Sequence, residues 1–198
     1  MSEIIQLPEP NVSSDVSLES AIAKRRTSRD FIEKDLDLDI LGQLLWAAQG
    51  MTHPDGFRTA PSAGALYPLD LYLATRTVLG HYDPEQHSVQ VLQWRDLRGP
   101  ISEAAFDQEF VAQAACSFLI TSRPEVTSAR YGARAPRYIA LEAGHAAQNL
   151  LLQACALGLC GVPVGAFNDD KVATIVGLRP TQEPLYLLCI GWAADPIP

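Results

Sequence analysis

Residues 136–158 constrain the fold of this chain more than any other stretch. The spacing of Ile139, Leu141, Leu150, Leu151, Leu152 and Leu157 predicts one long helix that is apolar on most of its faces. A helix apolar nearly all round has to be covered on every side. In a chain of 198 residues, that places it at the centre and calls for a second subunit to seal it. One stripe breaks the apolar surface. Glu142, His145, Asn149 and Gln153 follow one another at spacings of three, four and four, which aligns them on a helix. Such a stripe suits an internal polar network or the wall of a cofactor site. His145 has no partner ligands in the sequence, and no metal site is expected.

The remaining pattern mixes helices and strands. Ser17 caps a helix to about Lys24, whose Leu18 and Ile22 are expected to face the core. Asp37 or Asp39 opens a second helix that Gly50 ends. Residues 51–68 hold three Pro and two Gly and read as a structured loop. Leu69–Thr75 alternates like a strand. His81-Tyr82 and Val89–Leu92 flank Asp83-Pro84-Glu85-Gln86 as a hairpin. Residues 101–115 read as a helix, Cys116–Thr121 as a buried strand and Leu185–Trp192 as a last strand. Asn168 or Asp169 caps a short helix to about Val176. There is no internal repeat and no linker. The expected organisation is an extended arm over residues 1–16 and a single α+β domain over 17–198.

Charge limits the partners. The chain carries 23 acidic and 15 basic residues, a formal net charge of −8, which argues against nucleic acid or an anionic membrane. No signal peptide and no membrane span are read from the sequence. Cys116, Cys155, Cys160 and Cys189 each lie in an apolar run and form no CxxC, as in a reducing compartment. A cytoplasmic location is expected.

Against this acidic background, Lys24-Arg25-Arg26-Thr27-Ser28-Arg29 concentrates four of the fifteen basic side chains. Guanidinium forks and hydroxyls at a helix end can converge on one phosphate. A second segment, Arg58-Thr59-Ala60-Pro61-Ser62-Ala63-Gly64-Ala65-Leu66-Tyr67-Pro68, is braced by proline and built from small residues. It can let backbone approach a flat ring closely. It is neither a Walker loop nor a GxGxxG. A third, Val162-Pro163-Val164-Gly165-Ala166-Phe167-Asn168, reads as a loop with backbone groups suited to the edge of a heterocycle.

In this order, the three segments resemble the FMN-dependent nitroreductase superfamily, and within it the SagB-type dehydrogenase branch. The resemblance runs from about Ser17 to Trp192. It is carried by RRTSRDF (25–31), LLWAAQG (44–50), RTAPSAGALYPLDLY (58–72), RYGARAPRY (130–138), EAGHAAQNLLLQACALGL (142–159) and VGAFND (164–169). It implies an α+β fold with a central, mostly antiparallel sheet flanked by helices, in an intertwined homodimer with FMN at the subunit interface. Carried over by position, Arg25, Arg26, Thr27 and Arg29 would hold the phosphate and ribityl chain. Pro61, Ser62, Ala63 and Ala65 would contact the ring from the other subunit. Val164, Gly165 and Ala166 would lie near the ring's reactive edge. Tyr131 would be a proton donor or lid residue.

The activity implied is NADH- or NADPH-driven reduction of a nitroaromatic, quinone or activated alkene, with donor and acceptor sharing one face in ping-pong order. Two alternatives stand beside it: oxidation of azoline rings in a modified peptide, and flavin binding without turnover. The azoline oxidases use a Lys-Tyr pair where this chain has Arg130-Tyr131. An arginine stays protonated and cannot act as the base.

Overall fold

The computed structural model describes residues 3–194. Within them are eight strands, β1 (Ile4–Gln6), β2 (Phe31–Ile32), β3 (Leu69–Thr75), β4 (Leu79–Asp83), β5 (Ser88–Gln93), β6 (Cys116–Ser122), β7 (Cys160–Val164) and β8 (Glu183–Ala193). Seven α-helices accompany them, α1 (Leu18–Lys24), α2 (Leu38–Gln49), α3 (Arg98–Ala104), α4 (Phe110–Gln113), α5 (Pro124–Tyr131), α6 (Ala135–Ala156) and α7 (Asp169–Val176). The strands make one sheet in the order β1-β5-β4-β3-β6-β8-β2, and β7 also pairs with β8. Every paired strand is antiparallel to its neighbour.

Alternation along β3 divides the core. Leu69, Leu71 and Leu73 join Leu44, Leu45 and Leu150 on one side of the sheet. Tyr72 and Ala74 join Ile101 and Val172 on the other. This is the two-period of a strand buried on both faces. β6 lies beside β3 and is buried along its whole length. The α+β class with an antiparallel sheet between helices is thus the one the sequence indicates.

Helix starts follow their caps. The side chains of Ser17, Asp37 and Asn168 accept from Ser20, Ile40 and Lys171 N–H groups. The N-terminal segment is tied into the sheet through β1. His87 fastens the next turn: its Nδ1 accepts from the Tyr82 hydroxyl at 2.9 Å and its Nε2 lies 2.9 Å from the Pro8 carbonyl.

Three expectations are corrected. Leu18 and Ile22 are exposed, at 61% and 56%, and Ala21 is the residue α1 buries. A seven-residue helix packing through alanine comes close to its neighbours and turns its larger side chains outward. Residues 101–115 are two helices, because Phe106 and Asp107 take left-handed backbone (φ 58° and 59°). The Ser102 hydroxyl, donating to the Gln108 carbonyl at 2.9 Å, closes that reversal. The segment read as a loop after Gly161 begins as β7, which pairs with β8 from Cys160↔Gly191 to Val164↔Leu187. As a helix that calls for a second subunit to seal it would be, α6 is not covered all round within one chain: Leu141 is half exposed and His145 is exposed.

Candidate active site

The arginine segment lies along β7. Thr27 bridges Gly161 in parallel, and Ser28 N–H donates to the Gly161 carbonyl at 3.2 Å. The anchor is therefore held by main-chain atoms, and its side chains are left for other work. Arg25 caps α1 through its N–H to the Ala21 carbonyl. Arg26 Nη1 donates to the carbonyls of Ala23 and Arg25 at 2.8 and 2.9 Å, placing a cation at the negative end of that helix. The Arg29 guanidinium sits 5.4 Å from the centre of the Phe110 ring. Among the described residues, none of the three pairs with a carboxylate. An arginine cluster without counter-ions is an anion site in waiting.

β7 carries the segment to the turn Val164-Gly165-Ala166. From Gly161 to Val164 is three residues of strand, about 10 Å. Val164 is buried, while Gly165 and Ala166 are exposed. Gln108 Nε2 donates to the Ala166 carbonyl at 3.0 Å and to Ala105 at 2.7 Å, bracing the turn against the α3–α4 reversal.

The small-residue loop is tightly wound. Gly64, Ala65 and Tyr67 all take positive φ, at 64°, 53° and 48°. Two non-glycine residues in that region represent stored strain, of a kind found at ligand-binding loops. Ser62 organises the loop, its hydroxyl accepting from Tyr67 N–H at 2.9 Å. Pro61, Gly64 and Ala65 are exposed, and Ser62 and Ala63 half-buried. Asn149 Nδ2 ties the loop to α6 through the Thr59 carbonyl at 3.2 Å. On the other side, a side chain at position 64 would meet the Tyr131 hydroxyl at 2.7 Å and Arg130 Nη1 at 2.8 Å. The structure thus brings Tyr131 against this loop, edge-on to Tyr138 at 5.0 Å.

The polar stripe of α6 divides its duties. Asn149 serves the loop. Gln153 Oε1 accepts from Gln43 Nε2 at 3.2 Å, and Gln43 in turn holds Asn11. His145 takes no part. Glu142 is 2% exposed, its Oε1 has no partner, and burial pushes its carboxyl up to about 7, with the Ser62 hydroxyl and Arg58 charge pulling the other way. Sequence reasoning placed Glu142 on the stripe but gave it no site role. A native acid with a raised pKa binds more protons than the unfolded chain, so its stability contribution falls as pH rises. Glu142→Gln is therefore expected to gain stability over wild type on going from pH 5 to pH 8, by on the order of 2 kcal/mol. Denaturant titrations at the two pH values measure it. An equal difference at both would leave Glu142 without this role.

Loop and anchor do not meet within one chain. Ser62 stands beside Glu142, whereas Arg25 and Arg26 share a recess with Leu151 and Cys155. Along α6 those positions are about 14–20 Å apart. The arginine segment and the Val164–Ala166 turn form one cluster and the loop another.

An arginine segment on a sheet edge, continued by a bare backbone turn, offers charge and main-chain groups to an anionic ligand. The chain belongs to the nitroreductase family, whose model matches residues 22–192. It is 36% identical over 197 residues to a Methanocaldococcus jannaschii protein named as a nitroreductase, covering 96% of this chain and 98% of that one. A crystal structure of a protein from Ralstonia eutropha, likewise named as a nitroreductase, superposes with a TM-score of 0.89 at 30% identity, covering 97% and 90% of the two chains. The NADPH:FMN oxidoreductase of Vibrio harveyi, solved with NAD+, shares the fold, with a TM-score of 0.68 at 19% identity over 90% of this chain and 70% of that one.

Proposed function

We propose that this protein is an FMN-dependent oxidoreductase of the SagB-type branch that works as a homodimer and uses NADH or NADPH to reduce nitroaromatic, quinone or activated-alkene small molecules. The observation that carries this reading is the arginine segment hydrogen-bonded along β7, without a counter-ion among the described residues, one short strand from the Val164–Ala166 turn. The residues fit the cofactor. Arg25, Arg26, Thr27 and Arg29 offer charge and a hydroxyl for the phosphate. Val164, Gly165 and Ala166 offer main-chain groups at the ring edge. Pro61, Ser62, Ala63 and Ala65 offer a flat wall, from a second copy because their own chain holds them too far away.

Exposed Leu18, Ile22 and Leu141 support that second copy, as large apolar side chains on the helices that would face it. When bound, FMN supplies reversible two-electron chemistry. The chain's part is to fix the anion, keep the ring flat against the loop and leave one face open to both substrates. Tyr131, held at the loop, is placed to guard that face.

Among the described residues, no helix is long and apolar enough to cross a membrane. Together with the net negative charge, this supports a cytoplasmic enzyme without a nucleic-acid or membrane partner. Arg130 disfavours azoline oxidation, since the base position carries a permanent cation.

The test is a visible spectrum of purified protein, followed by anaerobic NADH and then NADPH. Two flavin bands that bleach with one nucleotide are expected. Bands that persist with both would remove the reductase reading and leave substrate oxidation or passive binding.

A further inference from the structure

A second cavity lies where β3 and β4 part. Their pairing runs from Tyr72↔His81 to Ala74↔Leu79 and goes no further. Beyond it, Leu69–Leu71 and Tyr82–Asp83 diverge around a space of about 400 Å³. Its apolar wall is Ile4, Leu69, Leu71, Tyr82 and Pro84.

The polar lining is unbalanced. Gln49 is 1% exposed; its Oε1 accepts from Arg58 Nη1 at 3.0 Å, but its Nε2 has no acceptor. His81 Nε2 has none either, with Asp70 Oδ1 3.6 Å away. Arg58 stacks 4.8 Å from the centre of the Tyr67 ring and pairs with no carboxylate among the described residues. Desolvation holds its guanidinium below the ordinary range.

The acids at this site are already engaged. Asp70 Oδ2 takes Gln182 Nε2 at 2.8 Å and faces Arg123 Nε at 3.1 Å. Asp83 Oδ1 takes the N–H groups of Glu85 and Gln86 at 2.9 and 3.2 Å. Asp70 Oδ1 and Asp83 Oδ2 accept no such bond among the described residues, and Gln6, Gln86, Ser88 and Gln90 also line the space. What marks the cavity is therefore a bare buried amide donor at Gln49 beside the Arg58 cation, against a hydrocarbon wall. A buried amide donor is normally satisfied, and leaving it bare is costly.

We propose that this cavity binds a small amphiphilic carboxylate, its oxygens on Gln49 Nε2 and the Arg58 guanidinium and its hydrocarbon part against Leu69, Leu71 and Tyr82. The site is separate from the arginine anchor, and Arg58 joins it to the loop that carries Ser62.

Hexanoate is the probe, titrated into flavin-loaded protein by calorimetry, with hexanamide as the neutral match. One hexanoate per chain is expected, with a Kd of about 1 mM or tighter. Hexanamide and the Gln49→Leu variant should each lose about ten-fold in affinity. Ser88→Leu fills the cavity without touching a donor and should abolish binding. A hexanoate-soaked crystal serves if either variant fails to fold: the carboxylate belongs on Gln49 Nε2, and density only elsewhere overturns the proposal. So does the absence of heat up to about 20 mM, equal affinity for the amide, or binding that both variants leave intact.

Discussion

Arg25→Ala/Arg29→Ala protein will leave purification nearly colourless, whereas the wild type will be yellow. If this segment anchors the phosphate as proposed, each guanidinium removed deletes charge-assisted hydrogen bonds to it, worth about 1.5–3 kcal/mol apiece. Two deletions together lower flavin affinity by about 10²–10⁴-fold. The fold will survive, because neither side chain carries the core. Arg29 gives up only its position over Phe110, and Arg25 caps α1 through its main-chain N–H, which alanine keeps. The measurement is flavin occupancy after dialysis, read from the visible to ultraviolet absorbance ratio, with circular dichroism to check the fold. Full occupancy in the double variant would remove this segment as the phosphate anchor.

Gly161→Ala will damage both the sheet and the anchor. A methyl there would stand 2.4 Å from Ile190 Cδ1, 3.0 Å from the Cys189 carbonyl and 3.2 Å from Leu151 Cδ2. Ile190 is fully buried, so its tip has little room to retreat, and the carbonyl belongs to the paired strand. β7 has to move away from β8. Overpacking of this kind costs about 1–3 kcal/mol, a drop of roughly 2–12 °C in Tm for a chain of this size. Gly161 also bridges Thr27 and accepts from Ser28 N–H, so the anchor shifts with the strand. Lower thermal stability and weaker flavin retention should appear together. A variant as stable as wild type would show that β7 yields more easily than its packing implies.

These two predictions rest on different levels of legibility. The arginine segment was visible in the sequence as a charge anomaly, and the strand at Leu69–Thr75 as a clean alternation. The helix start at Ser17 was legible because capping is local chemistry, and those at Asp37 or Asp39 and at Asn168 or Asp169 were legible to within two residues, the structure choosing Asp37 and Asn168. The role of Gly161 was not. Glycines at 158 and 161 and Pro163 read as loop signals, and only pairing with β8, more than twenty residues downstream, makes the segment a strand. Pro163 is tolerated because its missing N–H is not needed at a sheet margin. The reversal at Phe106 and Asp107 was hidden in part for a similar reason: alanines on both sides favour helix, and the local Ser102 and Gln108 bonds that close it are joined by one from Gln108 Nε2 to the Ala166 carbonyl, 58 residues away. The stripe on α6 was legible as a stripe. Which of its members would be buried without a partner depended on where the loop at Ser62 came to rest.

The way the anchor hangs on Gly161 also matters for redesign. Peptide atoms fasten residues 27 and 28 to the strand, and the guanidinium groups of residues 25, 26 and 29 take no part in that link. They form an interchangeable cassette. Swapping charge, length or hydroxyls at positions 25, 26 and 29 should retune which phosphorylated molecule is retained, while the scaffold that presents it stays as it is.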